Sequence, residues 1–313
     1  MIQNTLGVVL AYYRSKYDLS LEQMSEGICS IATLHRVEGG AREADSLMAE
    51  ALLGRIGKEV TFFELIINNE DYERAMARKH IAALIEEKKF EAAKEQLEAY
   101  KAFKVTDTHL QEQYILYQEL KMALEEQKED GILCQLAKEG LSRTKKIGQG
   151  WQEHSMYNSM EMFFMKNWMV HSKEFSKDRV ISVFRQMLEY AVRYYNGEMK
   201  NQFLMDVYLD LVQYCYEKGK YEVTILYIDE ALEVLSQGRW MLEAGILHEL
   251  KGNCLYRLSQ NAQASADTVK QCKQEWRMAY YVFDMMKQKE KAEQLKAEAM
   301  EAFAWDITGL EIL

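Results

Sequence analysis

Apolar residues recur along this chain at three- and four-residue spacing. In 204–235, Leu204, Tyr208, Leu211 and Cys215 form one face of a 3.6-residue period. Gly219 interrupts that face, and Tyr221, Ile225, Ile228, Ala231 and Leu232 resume it. The pattern predicts two amphipathic helices joined by a short turn, an antiparallel hairpin. Residues 72–102 repeat the arrangement around a Lys-Lys-Phe turn, and 245–275 repeat it around Ser-Gln-Asn. Fainter copies occupy 107–146 and 152–195. No stretch alternates with period two, so strands are not expected.

Phe90 and Tyr221 are separated by about four periods of roughly 34 residues. This period and pattern resemble tetratricopeptide repeats. In the best copy Tyr208, Leu211, Tyr221 and Ala231 sit at signature positions, whereas Val212 and Thr224 replace the usual glycine and alanine. The motif's terminal proline is missing throughout, because the chain contains no proline at all. That absence also excludes proline-rich linkers and polyproline ligands.

The first 65 residues follow a different rhythm of short helices: 6–17, 21–26, 31–37 and 45–56, with another starting near Phe62. Ser20 with Gln23 makes a capping box for the second helix. Ser30 caps the third, and Gly39-Gly40 stops it. Helices this short, broken at Gly27–Cys29, read as a helix-turn-helix. The expected architecture is all-α, with a helix-turn-helix domain at 1–65 and a tetratricopeptide-like α-solenoid at 66–313. The mixed-charge run 287–303 is its terminal capping helix.

The segment 19–40, LSLEQMSEGICSIATLHRVEGG, resembles the helix-turn-helix of xenobiotic-response-element-class bacterial regulators. Its Gly-Ile-Cys-Ser string at 27–30 is similar to the peptide-responsive Rgg and PlcR type regulators. The resemblance implies a DNA-binding head followed by a repeat domain that binds a short signalling peptide. It also implies an ion pair between Arg14 and Glu38 that ties helix one to the end of the recognition helix. Met24, Ile28, Leu34 and Val37 are expected to hold the two helices together. Ile31, Ala32, His35 and Arg36 are left to face a groove, and Arg36 and His35 carry the strong donors. Ser30 and Thr33 add hydroxyls, and Arg42 is placed to meet a phosphate. Two positions depart from the pattern, Leu21 and Ile31, where polar residues are usual.

Charge sharpens the picture. The chain carries a net −10, and residues 1–65 hold six basic and nine acidic side chains, a balance of −3. A lone head of that charge gains little from counterion release, so a homodimer on a two-fold site is expected. The same acidity and Ile31 favour a rival reading, a repeat scaffold for partner proteins with a degenerate head.

A peptide site is expected on the concave repeat face. Gln202, Asp206 and Gln213 form one polar stripe, and Glu249, Asn253 and Arg257 another. Such side chains suit the backbone of an extended peptide. The same residues could equally be solvated helix faces. Residues 156–169 carry five methionines and four aromatics. They read either as a pocket floor with Asn158 as polar anchor or as solenoid core; Asn167 lies about half a turn out of phase with Asn158.

No enzyme chemistry is expected. The histidines at 35, 80, 109, 154, 171 and 248 form no HExxH or metal-ligand pairing, and Gly148-Gln149-Gly150 lacks the rest of a phosphate loop and reads as a turn. No metal or cofactor is expected. Five widely spaced cysteines, no signal sequence and no apolar run of membrane length point to a cytoplasmic protein.

Overall fold

The computed structural model describes residues 5–58, 65–105, 107–148, 151–152, 155–235, 240–260 and 266–309. The helix expected near Phe62, most of the Gly148–Gly150 turn and His154 lie outside the described residues. The described residues form helices and no strand. The chain divides into two compact units, Met1–Met199 and Lys200–Leu313.

The first unit opens with four short helices, α1 (Thr5–Lys16), α2 (Leu21–Ser25), α3 (Ile31–Glu38) and α4 (Ser46–Arg55). Three antiparallel pairs follow: α5 (Asn69–Glu86) with α6 (Phe90–Lys101), α7 (Thr108–Glu125) with α8 (Asp130–Ser142), and α9 (Ser159–His171) with α10 (Lys177–Tyr194). The capping box of Ser20 and Gln23 is formed, and Ser30 Oγ accepts the Thr33 N–H at 3.0 Å. Leu10, Met24, Ile28, Leu34, Val37 and Leu52 are fully buried between the short helices. A second core joins α5, α6 and α7 through Ile81, Ile85, Leu97, Tyr100 and Tyr114.

α11 (Gly197–Glu217) runs into the second unit, followed by α12 (Tyr221–Leu235), α13 (Met241–Ser259), α14 (Ala266–Met285) and α15 (Lys289–Phe303). Gly245 and Gly252 sit two turns apart on one face of α13. A side chain at Gly252 would collide with the Trp276 ring of α14, and one at Gly245 would press on Phe283. The two small positions therefore let α13 and α14 pack at close range. Trp276, Phe283, Leu295 and Trp305 fill the resulting core.

One turn design recurs. After α5, α7, α11 and α14, a residue in the left-handed region follows the helix: Lys88, Gln127, Gly219 and Lys287, with φ of 57°, 52°, 73° and 59°. Its N–H bonds back three residues and the next N–H bonds back five, as in Lys88→Ile85 (3.0 Å) and Lys89→Leu84 (2.8 Å). These paired bonds satisfy carbonyls that the helix end would otherwise leave open.

The methionine-rich stretch is core. Met156, Met162, Phe164, Met165, Trp168 and Met169 are buried.

Candidate functional site

Local rules build the head. Ser20 and Ser30 start α2 and α3, and between them Gly27 adopts φ 69°, a conformation costly for other residues. A Cβ there would also collide with the Thr144 backbone at the end of α8. The turn is thus shaped by its glycine and seated on the repeats. His109 Nε2 on α7 donates to the Ile28 carbonyl at 3.1 Å.

Arg14 grips Glu38 with two bonds, Nε to Oε1 at 2.7 Å and Nη2 to Oε2 at 2.8 Å. Its Nη1 also donates to the Leu19 carbonyl at 3.1 Å. The hydrogen bonds to Glu38 raise the affinity of Arg14 for its proton, so the pair is ionic. Helix α1, the start of α2 and the end of α3 are held by this one guanidinium.

That grip sets the outward face of α3. Ile31, Ala32, His35 and Arg36 are exposed, and Ile31 presents 49% of its surface to solvent. The face ends in a small cluster. Ser30 Oγ lies 3.0 Å from Thr33 Oγ1, and Arg42 Nη1 donates to Thr33 Oγ1 at 3.2 Å. Ser30, Thr33 and Arg42 are thereby brought together, with Arg42 half-buried and fixed beside the helix. His35, Arg36 and Ala32 stand free of that cluster on the same exposed side.

The residues expected to hold a peptide fall into separate places. In the second unit, Asn253 and Arg257 line one cavity of about 250 Å³ with Tyr216, Tyr256, Trp276 and Glu298. Trp276 Nε1 donates to Asn253 Oδ1 at 2.9 Å, which fixes the amide's orientation. Glu249 is half-buried outside that lining, and burial raises its pKa. Gln202, Asp206 and Gln213 are exposed on α11, with Gln213 Nε2 donating to Glu217 at 2.8 Å.

Asn158 belongs to the first unit and caps α9. Its Oδ1 accepts the Glu161 N–H, and its own N–H donates to Glu161 Oε2, both at 2.8 Å. Asn167, also buried, donates to the Phe163 carbonyl at 2.8 Å. The Asn-x-x-Glu spacing was a helix-start signal in the sequence.

Sequence reasoning missed the polar bonds that tie the head to the hairpins. Arg55 on α4 and Glu161 on α9 are both wholly buried and meet at 2.8 Å. Lys145, just past α8, donates to Glu26 Oε2 at 2.7 Å. Tyr190 and Tyr195 donate to the carbonyls of Arg55 and Gly54 at 2.7 and 3.0 Å. A lone charge inside an apolar run, as in SMEMFFM, was the available signal.

Burial pushes the thiols of Cys29 and Cys215 up to about 11 and those of Cys254 and Cys272 up to about 12, so none of the four is a thiolate near neutrality. Among the described residues no cluster of three His, Cys, Asp or Glu side chains is gathered for a metal. No described helix is long and apolar enough to cross a membrane.

The fold class is a helix-turn-helix followed by helical hairpins. Among solved structures it matches Bacillus thuringiensis PlcR in complex with the peptide PapR7 and DNA, at 16% identity, 93% of this chain, 99% of that chain and a TM-score of 0.54. Apo ComR from Streptococcus vestibularis gives 11%, 97%, 99% and 0.49. The SHP pheromone receptor Rgg2 of Streptococcus dysgalactiae gives 12%, 95%, 99% and 0.45. The likeness to PlcR shows a common fold along nearly the whole chain. No protein-family model and no curated protein matches the sequence.

Proposed function

We propose that this protein is a sequence-specific, double-stranded-DNA-binding transcription regulator of the cytoplasm, working as a homodimer whose helical repeats bind a small signalling peptide. Residues 1–65 supply the DNA contacts, and 66–313 supply sensing and dimerisation. The carrying observation is the outward face of α3. Arg36 and His35 stand exposed there, flanked by the Ser30–Thr33–Arg42 cluster, while Arg14 and Glu38 fix the helix from behind. The fold shared with PlcR, which was solved with a peptide and DNA, supports the same reading.

In this mechanism Arg36 reads a base edge and Arg42 neutralises a phosphate. Peptide contacts come from the polar repeat residues Gln202, Asp206, Gln213, Glu249, Asn253 and Arg257 of the second unit. The peptide acts only through its different affinity for two arrangements of the protein. Nothing in this scheme calls for a bond-making step, so the protein is a regulator rather than an enzyme.

The test is enrichment of genomic DNA fragments by the purified protein at low and moderate salt. A common two-fold sequence near promoters is the expected outcome. Arg36→Ala should then weaken binding by about 1–3 kcal/mol and relax the sequence preference at one position. No enrichment by the folded protein would overturn the reading. The scaffold alternative, favoured by the exposed Ile31, would instead leave partner capture untouched by Arg36→Ala.

A further inference from the structure

The outward face of α3 is apolar at one end and polar at the other. Its later turn carries His35 and Arg36, both exposed, and neither side chain makes a hydrogen bond or ion pair among the described residues. Its first turn carries Ile31 and Ala32, side by side and exposed, with 49% of Ile31 open to solvent. Residues four apart on a helix lie one above the other, so Ile31 lines up with His35 and Ala32 with Arg36. The four side chains make one surface, and a duplex that meets the polar pair meets the apolar pair as well.

The other polar side chains of this turn are already engaged. Ser30 Oγ accepts the Thr33 N–H at 3.0 Å and shares a second hydrogen bond with Thr33 Oγ1, which accepts in turn from Arg42 Nη1. A base edge opposite Ile31 and Ala32 therefore finds no side-chain donor or acceptor. A polar group of a base pressed there would lose its water without gaining a partner, which is costly. The bases differ in this respect. In the major groove guanine, adenine and cytosine present only hydrogen-bonding groups, whereas thymine adds a methyl. That methyl set against the Ile31 side chain gains by leaving water.

We propose that Ile31, with Ala32 beside it, is a specificity-determining residue that reads the 5-methyl group of a thymine in the major groove. This rests on the DNA-binding reading above and deepens it, because it names one base of the half-site. Ile31 and Arg36 are five residues apart, a rise of about 7.5 Å along the helix. The thymine and the base read by Arg36 therefore lie about two base-pair steps apart. The exposure of Ile31 then calls for no protein partner.

The experiment starts from the duplex that the full-length protein selects from a randomised double-stranded library. Each thymine of that duplex is replaced in turn by uracil, which removes only the methyl, and affinity is measured by fluorescence anisotropy. At one thymine in each half-site, uracil should weaken binding about fourfold, the scale of one buried methyl group. Ile31→Ala should bind the thymine and uracil duplexes equally. Val8→Ala, a change at another exposed apolar residue of the head, on α1, should keep the fourfold difference. If uracil has no effect at any position of a duplex that is bound specifically, the proposal is overturned and the DNA-binding reading stands. A uracil effect that survives Ile31→Ala would overturn it too. Selection of no duplex would overturn the DNA-binding reading, and this proposal with it.

Discussion

Arg55 Nη2 and Glu161 Oε1 meet at 2.8 Å with both side chains wholly out of water, joining the last helix of the head to the third hairpin. The guanidinium also donates to the Met24 carbonyl at 2.9 Å, so α2, α4 and α9 converge on one charge. Removing one partner leaves the other buried and uncompensated. Glu161→Leu or Arg55→Met should each destabilise the first unit by about 3–5 kcal/mol, whereas the double change should recover much of that loss. Urea unfolding of the four proteins in the cycle measures the coupling.

Lys145 and Glu26 form a second link, 2.7 Å long, with the lysine almost buried and the glutamate half-exposed. Burial is the largest single influence on Glu26 and opposes its ionisation, yet the hydrogen bond and charge of Lys145, with smaller contributions from Arg55 and Ser155, together outweigh it and hold the pKa below the usual carboxylate range. A carboxylate whose folded pKa is lowered contributes stability above its unfolded pKa, near 4.5, and loses it as pH falls through the folded value. Glu26→Gln should therefore flatten the acid limb of stability below about pH 4.5. Near neutrality it should cost only about 1 kcal/mol, because water screens the exposed carboxylate. Unfolding midpoints from pH 3 to 7 would show both effects; an unchanged acid limb would remove Glu26 from the linkage.

Much of this fold was legible in the sequence, and the reasons are local. The caps at Ser20 and Ser30, the stop at Gly39-Gly40 and the 3.6-residue periodicity each act within a few residues, so the short helices and hairpins fall where the pattern places them. The pairing of α13 with α14 was readable too, as the hairpin repeated in 245–275, but the close approach that Gly245 and Gly252 permit was not. The long-range polar bonds were not. Nothing near Arg55 in sequence points to Glu161, and the pattern around Asn158 fits a pocket anchor and a core position alike, whereas its bonds make it the cap of α9. The compact unit Met1–Met199 has the same origin, because the bonds from Arg55, Glu26 and Gly54 bind the head to the second and third hairpins.

The recurring turns carry a conformational cost that substitution can expose. Gly219 adopts φ 73° with no atom near the position of an added Cβ, so Gly219→Ala changes backbone energy alone. It should destabilise the second unit by about 1 kcal/mol. Gln127 holds the equivalent place after α7 with φ 52° and an exposed side chain. Gln127→Gly should stabilise the first unit by a comparable amount, about 0.5–1 kcal/mol, despite the extra freedom glycine has when unfolded. Thermal unfolding of the two variants should move in opposite directions; a loss of stability in both would mean that Gln127 makes contacts worth more than its strained backbone.

The bond from Arg42 to Thr33 separates two ways in which a charge can serve the proposed DNA face. Arg42→Ala removes a cation that neutralises one phosphate, so the slope of log affinity against log salt should fall by about one. Thr33→Val keeps the cation and the helix shape but removes the hydroxyl that accepts from Arg42 at 3.2 Å. That change should weaken DNA binding by roughly twofold to tenfold, the scale of a single hydrogen bond, and leave the salt slope unaltered. An unchanged affinity in Thr33→Val together with a reduced slope in Arg42→Ala would show that Arg42 finds its phosphate without help. A reduced slope in both variants would instead show that the hydroxyl is required to bring the guanidinium to the backbone at all. Titrations at four salt concentrations with one duplex distinguish these cases.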